Sequence, residues 1–281
     1  MDLAKAAKPR PCSEALMRLI QPLVDAGVRH LARLGVNPLH VVLGHAALGF
    51  LAAWLIAQGS WGQLLAAAAL LQLKTLLDNI DGGLARATSQ VTLMGRYLDT
   101  GMDLLSNAAL FLALARHGPT LSAALAFILL TFILGLDYNL ERLYREQRQA
   151  TTGNPVGEVP PVGAPTIPYR FFKGLYTLLL TPQDRLITRL EHWRFRRLCG
   201  QAYRSAPTEL RQAWSDLFSS ASLVNLGLSS QLFLLGLLLA LDRPYLYILA
   251  VFLQGGYVLG VQLLRVARFR RYLAGTAREI P

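Results

Sequence analysis

Residues 78–103 read DNIDGGLARATSQVTLMGRYLDTGMD. Asp78 and Asp81 stand three apart, and Asp99 and Asp103 stand four apart. On helices, both spacings put the pair on one face. The runs on either side, Trp61–Leu77 and Leu104–Ala115, are apolar apart from a few polar residues. Carboxylates set into apolar runs are expensive, so a functional reason is the default expectation.

Outward from this stretch, the chain of 281 residues is 53% hydrophobic and only 16% charged, yet its net charge is +11. An average soluble domain has roughly 25% charged residues. So much apolar material excludes intrinsic disorder. Two cysteines are too few for a disulfide scaffold of this size. A nucleic-acid binder can be this basic but does not carry long uncharged apolar runs, so no nucleic-acid partner is expected. What remains is a polytopic membrane protein.

A spanning helix needs about 20 mostly apolar residues. Six stretches qualify: Leu39–Gly59, Trp61–Asp81, Tyr97–Ala115, Leu121–Leu140, Ser219–Leu241 and Tyr245–Leu264. The second is the weakest, because it contains Lys74, Asp78 and Asp81. Threading the six spans puts residues 1–38, 82–96, 141–218 and 265–281 on one face, with 25 of the 28 Lys and Arg. The other face has Arg116 and Arg243, and Lys74 lies within a span. Leaving out the long segment 141–218, the ratio is still 13 to 2. Positive loops stay inside, which predicts a multi-pass protein of the cell membrane with both termini cytoplasmic. Residues 1–38 are polar, broken by Pro9, Pro11 and Pro22, and show no cleavable signal peptide. Cys12 and Cys199 fall on the cytoplasmic side as reduced thiols.

The expected fold is therefore an all-α bundle of six transmembrane helices with two additions. Residues 1–38 are a cytoplasmic N-terminal segment. Within it Leu16, Leu19, Ile20, Leu23, Val24, Val28, Leu31 and Leu34 alternate with Arg18, Arg29 and Arg33 in helical spacing, which predicts an amphipathic interfacial helix kinked at Pro22. Residues 39–140 hold the first four spans and the aspartates. Residues 141–218 form a cytoplasmic insertion before the fifth span. It comprises a Pro/Gly-rich loop, Thr151–Pro168, and a basic helix, Asp184–Arg204, suited to anionic membrane lipids. Residues 219–264 are the last two spans, and 265–281 a basic cytoplasmic tail.

The second and third spans are antiparallel, so all four carboxylates can converge near the cytoplasmic boundary. Clustered carboxylates in a poorly hydrated site need cations. Oxygen ligands select hard ions, Mg²⁺ or Mn²⁺, and two divalent ions would balance four carboxylates. Gly82, Gly83 and Gly95 fit close approach of a ligand to bare backbone. Arg86 offers a forked cation to a phosphate. The five histidines, His30, His40, His45, His117 and His192, show no metal-ligand spacing.

The pattern Asp78-x2-Asp81-Gly82-x2-Ala85-Arg86-x8-Gly95-x3-Asp99-x3-Asp103 resembles the signature of the CDP-alcohol phosphotransferases at all eight fixed positions. The resemblance implies an enzyme that displaces CMP from a CDP-linked donor with the hydroxyl of a second substrate. It implies that Asp78, Asp81 and Asp99 bind the metals, with Asp103 sharing the site and acting as base. Gly82, Ala85, Arg86 and Gly95 would lie against the CDP moiety. It also allows a homodimer. The favoured reading moves a phosphatidyl group from CDP-diacylglycerol to a polar alcohol such as glycerol phosphate, serine, inositol phosphate or a sugar alcohol. The alternative reverses the donor, with a CDP-choline or CDP-ethanolamine type head group attacked by diacylglycerol. A divalent-cation transporter is the rival from another class, but it leaves Gly82, Arg86 and Gly95 unexplained. Ser106 and Asn107, next along the helix from Asp103, are candidates for the acceptor pocket. Lys74 is expected to pair with Asp78 one turn on or to snorkel, with a contact to a substrate phosphate as the alternative. One departure from the family is at Val36–Val42. Pro38 is kept there, but Leu39 and Val42 stand where many members have polar residues, leaving Asn37 or His40 to substitute.

Overall fold

A computed structural model of the chain describes residues 14–149 and 167–276. The described residues are all-helical, with no β-strand. The helices are α1 (Ala15–Arg33), α2 (Pro38–Gln58), α3 (Trp61–Ala87), α4 (Leu93–Leu114), α5 (Thr120–Gln149), α6 (Ile167–Leu175), α7 (Thr181–Cys199), α8 (Thr208–Trp214), α9 (Leu217–Leu223), α10 (Leu228–Ala240) and α11 (Tyr245–Thr276).

Among the described residues, five stretches are long and apolar enough to cross a membrane: Pro38–Gln58, Leu93–His117, Thr120–Arg148, Thr208–Ala240 and Tyr245–Gly275. The chain is a multi-pass membrane protein. The expected second span, α3, is a single helix of 27 residues, about 40 Å at 1.5 Å per residue. It is not among the five because Lys74, Asp78, Asp81 and its glutamines dilute its apolar character. Its polar groups nevertheless point inward: Lys74 is 0% and Asp81 4% exposed. α3 is the centre of the bundle, packed by α2, α10 and α1. Its alanine run puts Ala67 and Ala68 in the main core, with Ile56 of α2, Leu110 of α4, Leu235 of α10 and Ile248 of α11. Small residues let helices approach closely. At Gly236 of α10, an added Cβ would collide with the Gln72 amide and lie 3.4 Å from the Ala68 carbonyl oxygen.

Three expected boundaries move. The linker set at 82–96 is shorter, because α3 continues through Gly82 and Gly83 to Ala87 and α4 begins at Leu93. The turn closes on the backbone: Gln90 N–H donates to the Ala85 carbonyl (2.8 Å) and Ser89 N–H to that of Arg86 (3.3 Å). Ser89 accepts a left-handed φ of 58° to do so. The expected fifth span, Ser219–Leu241, is interrupted: α9 ends in a 3₁₀ turn, Val224–Leu226, and α10 restarts after an extended Gly227. The amide groups freed there have a partner from far along the chain. The Glu14 carboxylate accepts from Ser230 N–H (3.1 Å) and Ser230 Oγ–H (2.8 Å). Gly227 is where this carboxylate passes, since an added Cβ would collide with it. The last helix also outruns its expected end, so residues 265–276 continue α11.

The amphipathic helix forms as α1 and runs through Pro22. Its apolar residues divide: Val24 and Val28 are buried against Ile80 of α3, while Leu19, Leu23 and Leu34 face outward. The basic helix forms as α7. There Ile187 and Phe195 are buried and Leu186, Leu190 and Trp193 exposed. Phe195 joins Leu143, Tyr203, Trp214 and Phe269 in an aromatic core that ties α5, α7, α8 and α11 together. Residues 151–166 of the expected Pro/Gly-rich loop, and Cys12, lie outside the described residues. Cys199 is a free thiol.

Candidate active site

The first turn of α2 is set by Asn37 and Pro38. Asn37 Oδ1 accepts from Leu39 N–H at 2.9 Å and Pro38 occupies the start of the helix, where its missing N–H costs nothing. Asn37 is thus a helix cap. From Pro38, α2 descends beside α3 and α4. Thr92 caps α4 in the same way, its Oγ1 accepting from Gly95 N–H at 3.0 Å. A Cβ at Gly95 would stand 3.3 Å from that hydroxyl and 3.6 Å from Leu39.

α3 runs antiparallel to both neighbours, so residues of the three helices meet in layers. The outer layer joins Asp78 and Asp81 of α3, Asp99 of α4 and His45 of α2. One ligand atom from each lies within 4.8 Å of all the others. His45 Nε2 is 2.8 Å from Asp81 Oδ2, 3.7 Å from Asp99 Oδ1 and 3.8 Å from Asp78 Oδ1. The inner layer, a turn deeper, holds Asp103, Lys74, Ser106 and Gly49. Lys74 Nζ donates to Asp103 Oδ1 at 2.7 Å. A Cβ at Gly49 would lie 3.0 Å from Ser106 Oγ and 3.2 Å from Lys74 Cε, so this glycine is what lets α2 close on the pair.

The three aspartates of the outer layer come together as their spacing suggests. Asp103 is outside the group of four donors that lie within 4.8 Å of one another, and its Oδ1 accepts from Lys74. The lysine therefore pairs across helices with Asp103 rather than along α3 with Asp78, and being 0% exposed it does not snorkel. Gly82, Ala85 and Arg86 lie on the last turns of α3, partly exposed. The Arg86 guanidinium folds back over Gly82, where a Cβ would stand 3.3 Å from Nη1. Ser106 and Asn107 are both buried.

His45 is the residue that spacing misses. Metal-ligand spacing looks for partners along one helix, whereas the partners of His45 come from two other helices. The available signal was an imidazole in the interior of a mostly apolar span, by itself a functional hint.

The outer layer suits a divalent cation. Asp81 Oδ2, Asp99 Oδ1 and both ring nitrogens of His45 are buried without a hydrogen-bond partner among the described residues. The 2.8 Å approach of His45 Nε2 to Asp81 Oδ2 lacks the alignment of a hydrogen bond. Buried polar atoms are normally paired, and carboxylates that face one another unpaired repel. The 4.8 Å span of the donors is close to the roughly 4.2 Å that separates opposite ligands across an ion with bonds of about 2.1 Å.

The fold and this donor set agree with the comparison to known families. Residues 38–189, more than half of the chain, match the CDP-alcohol phosphatidyltransferase family. The chain belongs to that family. The match opens at Pro38, the first residue of α2, and spans both layers of the site. Among curated proteins, the chain is similar to the archaetidylinositol phosphate synthase of Pyrococcus horikoshii, with 35% identity over 99 residues. That alignment covers 35% of this chain and 50% of the relative, so the chain spans about half the length of the protein it matches.

Proposed function

We propose that the protein transfers a phosphatidyl-type group from a CDP-linked lipid to the hydroxyl of a polar alcohol, releasing CMP, at a divalent-metal site on the cytoplasmic side of the membrane. The observation that carries this reading is the outer layer: three buried or half-buried carboxylates and an imidazole, facing one another with unpaired atoms. In this reading α3 is a sixth span, its charges sheltered by its neighbours. The basic face, with 25 of 28 Lys and Arg, is then cytoplasmic.

Asp78, Asp81 and Asp99 hold the metal, Mg²⁺ or Mn²⁺, in one or two ions. Bound there, a divalent ion supplies charge neutralisation and placement of the donor pyrophosphate. Arg86, at the open end of α3, offers two parallel donors to a phosphate oxygen. Gly82, Ala85 and Gly95 leave the backbone bare beside it, suited to the CDP moiety. The acceptor oxygen attacks the β-phosphorus, the bond to CMP breaks, and the acceptor proton passes to Asp103. Asp103 is suited to this because no metal needs to occupy it: Lys74 balances its charge from the far side. The acceptor then enters beside Asp103, with Ser106 and Asn107 at the closed end of its pocket. The name of the Pyrococcus relative favours a phosphorylated inositol as the first acceptor to try.

The test uses the purified full chain in detergent with CDP-diacylglycerol and Mg²⁺ or Mn²⁺. The acceptors are inositol phosphate, glycerol phosphate, serine and sugar alcohols. CMP is expected with at least one of them. CMP released only from CDP-choline or CDP-ethanolamine with diacylglycerol would reverse the donor assignment. Silence with every donor and acceptor would overturn the reading.

A further inference from the structure

We infer that His45 is a direct metal ligand, and that its nitrogen makes this site prefer a transition-metal ion such as Mn²⁺ over Mg²⁺. This rests on the metal reading above and goes beyond it by naming a nitrogen donor in a set that sequence spacing makes all-oxygen. The imidazole is 0% exposed and lies in the interior of α2, a mostly apolar helix whose other polar residues, His40 and Gln58, stand near its two ends. Among the described residues no hydrogen bond satisfies it, at either Nδ1 or Nε2. A buried polar group left so costs on the order of 1–3 kcal/mol, a cost that a structural histidine avoids by finding an acceptor.

The ring is also aimed. Nε2 stands within 3.8 Å of an oxygen from each of three carboxylates on two other helices. Two of those oxygens, on Asp81 and Asp99, are themselves buried and unpaired. Three donor atoms, His45 Nε2, Asp81 Oδ2 and Asp99 Oδ1, face one another without a hydrogen-bond partner among the described residues, and a cation satisfies all three at once. Carboxylate and water oxygens suit Mg²⁺ and Mn²⁺ alike, but imidazole nitrogen is a ligand of transition-metal ions, and of these two only Mn²⁺ is one. One nitrogen among three carboxylates therefore tilts the choice without excluding Mg²⁺.

The experiment uses the full chain, stripped of metal in detergent and reloaded with Mn²⁺ alone. Pulsed electron paramagnetic resonance of bound Mn²⁺ should show modulation from a directly coordinated nitrogen. His45→Gln should abolish that modulation and weaken Mn²⁺ binding at least about tenfold, with a much smaller loss for Mg²⁺. Bound Mn²⁺ without nitrogen modulation overturns the inference and leaves the metal site standing. Modulation that persists in His45→Gln also overturns it. If the wild-type chain binds no Mn²⁺, the metal reading falls and the inference with it. Should the variant fail to fold, isotopic replacement of histidine nitrogen in the wild-type chain must change the modulation pattern; no change again overturns the inference.

Discussion

Where α2, α3 and α4 meet, Asp78, Asp81, Asp99 and His45 face one another, and atoms of the last three lack a hydrogen-bond partner among the described residues; where α7 meets α11, buried charges are paired. There Arg265, 2% exposed, donates to Glu191 Oε2 at 2.6 Å and to the Trp214 carbonyl at 3.0 and 3.2 Å. Its guanidinium also lies 4.1 Å over the Trp214 ring. The two clusters do different work. Opposite charges close on themselves and hold helices together. Like charges without a partner repel, and in the function proposed above a cation would relieve them. Between these extremes lies the Lys74–Asp103 pair, neutral as a unit but opening toward the carboxylates.

The largest expected effect separates Asp103 from the outer layer. Asp103→Asn should lower CMP release by about 10²–10⁴-fold, the usual worth of a general base. Mn²⁺ affinity should barely move, because Asp103 stands on Lys74. If turnover and metal affinity fall together, Asp103 is a ligand and the boundary between the two layers is misplaced.

Next in size is the closed cluster. Arg265→Met removes the shorter of the two ion pairs of the buried Glu191 carboxylate, leaving it Arg194 at 3.5 Å, at a cost of up to about 3–5 kcal/mol, seen as a lower thermal midpoint. The double variant Glu191→Leu/Arg265→Met should recover much of that loss, with Mn²⁺ binding unchanged throughout. A single variant as stable as the wild type would show that this cluster is not structural in the sense argued.

The smallest effect concerns the break in the fifth span. Glu14→Ala removes the cap on α10 and should cost about 1 kcal/mol, a modest drop in thermal midpoint with no change at the metal site. A large loss of Mn²⁺ binding would instead mean that α1, packed on Ile80 of α3, transmits to the site.

Helical class, membrane habit and the aspartate motif were legible in the sequence because each is a local signal. Apolar length marks spans, and spacings of three and four set residues on one face. Asp78, Asp81 and Asp99 were found in this way. The break at Gly227 was hidden because the apolar run continues through it and the capping carboxylate, Glu14, lies 216 positions from Ser230. The continuation of α3 through Gly82 and Gly83 was hidden because two glycines read as a helix end, while packing keeps them helical.

By itself, then, the sequence determined a basic, multi-pass helical protein of the CDP-alcohol phosphatidyltransferase family with its carboxylates at one end of two adjacent helices. Only the tertiary structure decided what surrounds those carboxylates. It brings His45 from a third helix into the cluster and turns Lys74 away from Asp78 onto Asp103. The physical reason is that spacing describes one helix at a time. Which faces of separate helices meet depends on where Gly49 and Gly236 let them close.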